Sequence, residues 1–241
     1  MNTLESKTVA DLVTENIQTA HVFKKYGIDF CCGGGISVKR AAEKAAIRYE
    51  DLEKDLLGVE NTTGRTNNYN SWKLDFLTDH IINVHHAYVQ ENIPLIYQYA
   101  LRVVRVHGSN YPELVQIQRL FSEISRELRA HLKKEEEILF PFIKKMVKAK
   151  KEGTDFSPPD FGTVDNRIKM METEHEEAGG ILRQISALSN KYIPPQEACN
   201  TFRAFYAKLE EFEQDLHQHV HLENNILFPK ALNLEKKLSV V

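Results

Sequence analysis

The chain has 241 residues, 42% hydrophobic and 27% charged, with 31 basic against 34 acidic residues and a formal net charge of −3. This composition suits a soluble globular protein rather than a disordered one, and the lack of a basic surplus argues against a nucleic-acid partner. Three cysteines cannot build a disulfide scaffold, whereas ten histidines exceed what a core of this size calls for.

The start, Met1 to Lys7, is polar and lacks the apolar core of a secretory signal. No apolar run approaches the roughly 18 residues of a membrane span, so a cytoplasmic chain with no membrane partner is expected. Residues 1–58 read as a small helical unit carrying the adjacent pair Cys31 and Cys32, expected as reduced thiols. Three glycines follow the pair, then Ser37 as an N-cap for the apolar-periodic Val38 to Ile47. Thiols close to a helix N-terminus can have lowered pKa values and hence form reactive thiolates; the plainer reading is a pair of small residues in a tight turn. The polar composition of 59–71 reads as an exposed linker.

Residues 72–241 contain three breaks, His107 to Pro112, Gly153 to Gly162 and Asn190 to Pro195. They separate four long segments of helical periodicity, which predicts an all-α, up-and-down four-helix bundle. The first core-facing stripe is Ile82, His86, Val89, Ile93 and Ile96. The second is Phe121, Ile124, Leu128, His131, Glu135, Ile138 and Phe142. The third is Ile168, Met171, His175, Ala178, Leu182 and Ile185, and the fourth is Phe205, Leu209, Phe212, Leu216, His219, Glu223 and Ile226. Every stripe carries one histidine where an apolar side chain belongs, and two also carry a glutamate one turn on. The run His131-x-x-x-Glu135 to Pro141 recurs as His219-x-x-x-Glu223 to Pro229, each ending Ile-Leu-Phe-Pro. The chain thus reads as two helical hairpins related by a pseudo-two-fold axis.

Two buried carboxylates on facing helices repel unless something positive lies between them, and no Lys or Arg sits on any stripe. Four imidazoles and two carboxylates are the ligand set for two metal ions. Zinc more often takes a four-ligand tetrahedron; six ligands with bridging carboxylates suit two octahedral irons, with manganese second. His85 adjoins His86, but its stripe would run through Asn92, so His86 is preferred.

These motifs resemble the hemerythrin-like bundle, and Tyr26 to Gly35 with its Cys-Cys-Gly-Gly-Gly run resembles the small cysteine-pair domain that precedes it in the repair of iron centres family. The resemblance implies a di-iron site on His86, His131, His175, His219, Glu135 and Glu223, with two oxo- or hydroxo-bridged iron ions. It implies restoration of iron–sulfur clusters damaged by nitric oxide or oxidants, with damaged iron–sulfur proteins as partners and iron donation from an open site. It also implies a redox or iron-handling role for Cys31 and Cys32. Oxygen-carrying hemerythrins use five histidines, and no stripe here holds a fifth. A nitric-oxide-reducing enzyme and an oxygen or redox sensor are the alternatives, and a homodimer is a further candidate assembly.

The remaining polar residues carry weaker signals. Glu127, a turn before His131, and Glu174, beside His175, are candidates for flanking a channel to the metals, against the plainer reading of solvated helix faces. His217 and His221 fall on the far side of the helix from His219 and are expected to meet solvent or a dimer partner. Gly179-Gly180 reads as a channel opening or a close helix contact, and Cys199 as a buried small residue.

Overall fold

In the computed structural model, residues 4–59, 68–154 and 163–239 are described. Four short helices come first: α1 (Val9–Glu15), α2 (Thr19–Lys25), α3 (Val38–Lys44) and α4 (Tyr49–Gly58). The first and third are set by their caps. Thr8 and Asp11 form a reciprocal capping box on α1, and the Ser37 side chain accepts from the Arg40 N–H on α3. Val9, Val13, Phe23, Val38, Ala41 and Leu52 close into an apolar cluster of their own. Most of the stretch read as a linker, residues 60–67, lies outside the described residues, as does most of the break before Gly162. Tyr69, at the end of that linker, is buried against Trp72 and His80 and belongs to the bundle core.

The bundle has four long helices. The first runs through α5 (Leu74–His80) and α6 (Ala87–His107), and the second through α7 (Glu113–Lys134) and α8 (Phe140–Glu152). The third is α9 (Val164–Leu188) alone, and the fourth runs through α10 (Asn200–Leu222) and α11 (Phe228–Leu238). α8 stops at Gly153, whose φ of 65° is a left-handed cap that glycine adopts without strain. No strand forms among the described residues, as an all-α chain requires.

Three of the four helices pass through a π-helical turn, at Ile81–His86, Glu135–Leu139 and Glu223–Leu227. For the last two the cause is covalent. Pro141 and Pro229 have no N–H, and each ring crowds the carbonyl four residues back, at Glu137 and Asn225. Both carbonyls fall inside the wide turns. The wide turn slips the helical phase by one residue, so Ile81 and Leu139 are buried where Ile82 and Ile138 were expected to be; those two are only half-buried.

The bundle core is divided. One apolar cluster contains Val89, Phe121, Leu128, Leu182, Phe212 and Leu216, and the other contains Ile81, Leu139, Phe140, Met171, Leu222 and Phe228. The polar side chains of the four stripes fill the layer between them.

Candidate metal centre

The layer is assembled from one histidine per helix and two glutamates. His86, His131, His175 and His219 are all at most 4% exposed, and Glu135 and Glu223 are 0% exposed. Glu135 places Oε2 3.3 Å from His86 Nε2 and Oε1 3.4 Å from His131 Nε2. Glu223 places Oε2 3.2 Å from His175 Nε2 and Oε1 3.1 Å from His219 Nε2. Two four-residue groups result, His86 with His219 and His131 with His175, each sharing both glutamates, with ligand atoms within 4.8 Å of one another.

The donor set fits a metal on an observation independent of the pattern. Both oxygens of Glu135 and of Glu223, and Nε2 of His86 and His219, are buried with no hydrogen-bond partner among the described residues. Buried polar atoms left unpaired in a core are costly, and these converge on the same space. Their ionisation is mutually set. Burial and the Glu223 charge push Glu135 up, but His131 and His86 hold it below the usual carboxylate range. Burial pushes Glu223 up too, and His219 and His175 hold it well below. Burial lowers His131, but the Glu135 carboxylate carries it up to about 10.

Behind the inward-facing nitrogens runs a second set of contacts. His86 Nδ1 donates to Glu136 Oε1 at 2.8 Å, His131 Nδ1 to Glu174 Oε2 at 2.8 Å, and His175 Nδ1 to Asn224 Oδ1 at 2.9 Å. Such bonds fix the tautomer and aim Nε2 at a metal. Each supporter sits beside a candidate ligand on its own helix and serves the histidine of the preceding helix. His85 occupies the corresponding place for His219, but it stacks on that ring at 5.6 Å and donates to Asp215 instead. Sequence reasoning missed Glu136 and Asn224. Their only signal was adjacency to Glu135 and Glu223.

A cavity of about 210 Å³ reaches the layer from outside and is lined by Glu127, Glu174, His131, His175 and His219, with Gly179 beside them. Glu174 is therefore both a cavity wall and the support of His131, and Lys134 pairs with it. The His131 contact, working against partial burial, lowers its pKa to about 2. A Cβ at Gly179 would meet only the Arg183 side chain, so this glycine does not serve a close helix contact.

Cys31 and Cys32 line the same cavity. The loop that carries them docks on the fourth bundle helix, where Asn225 Nδ2 donates to the carbonyls of Phe30 and Cys31 at 3.3 Å each. Three expectations are corrected here. His217 and His221 meet the small unit instead: Phe30 packs edge-on against both, at 5.8 and 6.1 Å, with His221 1% exposed and His217 half-buried. The Cys31 thiol is not lowered. The Cys32 thiol, burial and the Asp29 carboxylate push it well above its ordinary range. Cys199 is exposed at the start of α10, with its sulfur 3.2 Å from His107 Nε2.

With this geometry in view, residues 77–231 match the hemerythrin HHE cation-binding domain, and residues 5–60 match ScdA_N, a domain of unknown function. A probable iron-sulfur cluster repair protein of Haemophilus influenzae is 34% identical over 88% of this chain and 90% of its own length. The chain belongs to the YtfE/ScdA repair family. Within the family, iron-sulfur cluster repair protein YtfE of Escherichia coli O157:H7 is 36% identical over 88% of this chain and 90% of its own length. Iron-sulfur cluster repair protein ScdA of Staphylococcus haemolyticus is 33% identical over 92% and 96%. No helix of the described residues is long and apolar enough to cross a membrane.

Proposed function

We propose that this chain restores iron–sulfur clusters damaged by nitrosative or oxidative stress, and that it does so by donating iron held in the bundle. The names of its relatives support repair as the task. The ligands are His86, His131, His175, His219, Glu135 and Glu223, with the two carboxylates bridging a pair of iron ions, and the clients are damaged iron–sulfur proteins of the cytoplasm. One observation carries the reading: each carboxylate offers one oxygen to each histidine pair. A single metal would have no use for that division. Two modules, residues 1–58 and 72–241, would then combine a cysteine-bearing unit with an iron-holding one.

Bound iron supplies the metal that a damaged cluster lacks, and the protein's residues set how firmly it is held. Two carboxylates against two divalent ions leave excess positive charge, so the site holds iron less firmly than an all-carboxylate cage. Glu136, Glu174 and Asn224 keep three imidazoles aimed inward, and the apolar layers on either side restrict water to the cavity.

The test is to incubate the iron-loaded protein with a cluster enzyme inactivated by nitric oxide. Recovery beyond that given by the same amount of free iron is expected, and equal recovery would overturn donation. In parallel, His131→Ala and Glu135→Ala should each lower bound iron markedly. Two irons retained per chain would overturn the ligand assignment.

A further inference from the structure

A second cluster of ligating atoms stands at the cavity, outside the bundle. In the loop between α2 and α3, Asp29 Oδ1 accepts from the backbone N–H of Cys31 at 2.9 Å and of Cys32 at 3.0 Å. The same oxygen lies 3.2 Å from Cys31 Sγ, and the two sulfurs are 3.9 Å apart, unbridged. Asp29, Cys31 and Cys32 thus present three ligand atoms within 4.8 Å of one another. Asn224 joins this cluster to the metal centre: its Oδ1 accepts from His175, while its Nδ2 lies 3.5 Å from the Cys31 carbonyl and 4.0 Å from Cys32 Sγ.

We propose that Asp29, Cys31 and Cys32 form a second metal site, which takes a thiophilic divalent cation, ferrous iron in its working state, in transit between solvent and the bundle. The proposal deepens the iron-donation reading and rests on it. Thiolate donors suit a soft or borderline divalent ion, unlike the imidazole–carboxylate set inside. Binding displaces one proton from each thiol to solvent, so two thiolates and the Asp29 carboxylate face one dication, and the metal itself favours the thiolate form. Three ligands leave a position open, whereas structural zinc sites close with four. An open site at the wall of the cavity lets an ion be handed on. The cavity shared with His131 and His175 gives it a path.

The experiment uses the full chain carrying Cys199→Ser, which removes the exposed sulfur beside His107, with its bundle already filled with iron, titrated anaerobically with cobalt(II). A sulfur-to-cobalt charge-transfer band is expected in the near ultraviolet, and its loss is expected in the Cys31→Ser/Cys32→Ser variant with bundle iron unchanged. Cobalt entering the bundle gives no such band, because its ligands contain no sulfur. A ferrous chelator should strip iron from that variant about tenfold more slowly, the scale on which groups around a metal centre act. A full complement of bundle iron with no band in the parent protein, or a band that survives in the double variant, overturns the transit site and leaves the iron-holding bundle standing. A bundle that takes up no iron overturns both. Should the double variant lose bundle iron, Cys32→Ser alone decides, since that side chain is only half-buried: full iron with a weakened band supports the site, and full iron with an undiminished band overturns it.

Discussion

A metal-binding imidazole is only as well aimed as the group behind it. His131 shows this most clearly, because Glu174 holds its Nδ1 at 2.8 Å and is itself anchored by Lys134. Glu174→Gln keeps the shape but loses the charge that both partners use. Iron affinity should fall about tenfold with the site still fillable at excess iron, as competition with a chelator would measure; unchanged affinity would remove Glu174 from the site's support. The four histidines and two glutamates gathered in the buried layer were legible in the sequence because a polar side chain on an apolar stripe has no bland reason to be there. Of the groups behind them, Glu174 was legible only as a channel residue and Glu136 and Asn224 not at all, because a residue next to one of the six points about 100° away on its helix and meets a different helix. Glu136 reaches His86 and Asn224 reaches His175 across interfaces that only the packed bundle defines. The same limit applied to Cys31: the glycines and Ser37 announced a nearby helix start, but the Cys32 thiol, burial and Asp29 raise the Cys31 thiol.

At the scale of elements, the periodicity of all four long helices was legible, and its failure at Ile82 and Ile138 marks where it was not. A strict three-and-four spacing assumes an unbroken α-helix. The prolines of the two Ile-Leu-Phe-Pro runs were the signal that it is broken one turn earlier, within the turns that begin at Glu135 and Glu223. Such wide turns recur at functional sites, and here they follow directly on each His-x-x-x-Glu. Deletion of Glu137, which is exposed and pairs only loosely with Lys133 at 3.8 Å, combined with Pro141→Ala, removes the extra residue of one turn and the ring that crowds its carbonyl. The flanking α7 and α8 keep nearly the same relative phase, so circular dichroism should show unchanged helix content. Glu136, however, moves off His86, and iron binding should weaken by about tenfold or more. Loss of the helices themselves would mean that the turn supports the fold rather than the site.

At the scale of the whole molecule, two buried phenols and one half-buried phenol set an alkaline limit. Burial and the Glu211 carboxylate raise Tyr88, burial and Glu213 raise Tyr192, and burial raises Tyr206 to about 12. An unfolded phenol ionises near pH 10, so each contributes stability below that pH and loses it as pH climbs toward the folded value. The urea midpoint should therefore decline from about pH 10 upward, with phenolate absorbance appearing alongside unfolding. A midpoint that stays level to about pH 12 would contradict this.

The cysteine-bearing unit docks mainly on the fourth bundle helix, and Arg183 of α9 adds an ion pair to Asp29 at 4.0 Å. Lys24 reaches Glu213 at 3.5 Å, Phe30 lies against His217 and His221, and Val220 projects from α10 into the small unit's apolar cluster. Val220 faces away from the bundle interior, so its replacement perturbs the docking and spares the bundle core. Val220→Glu sets a carboxylate against the small unit's apolar cluster, a penalty of about 2 kcal/mol or more that undocking relieves. That corresponds to about a thirtyfold rise in the open population, read as faster alkylation of Cys31, which is only 7% exposed when docked. Helix content and bundle iron should hold, because the four stripes are untouched. If iron is lost together with the docking, the small unit is part of what keeps the metal centre assembled. If alkylation is no faster, the contact at Val220 does not hold the two units together.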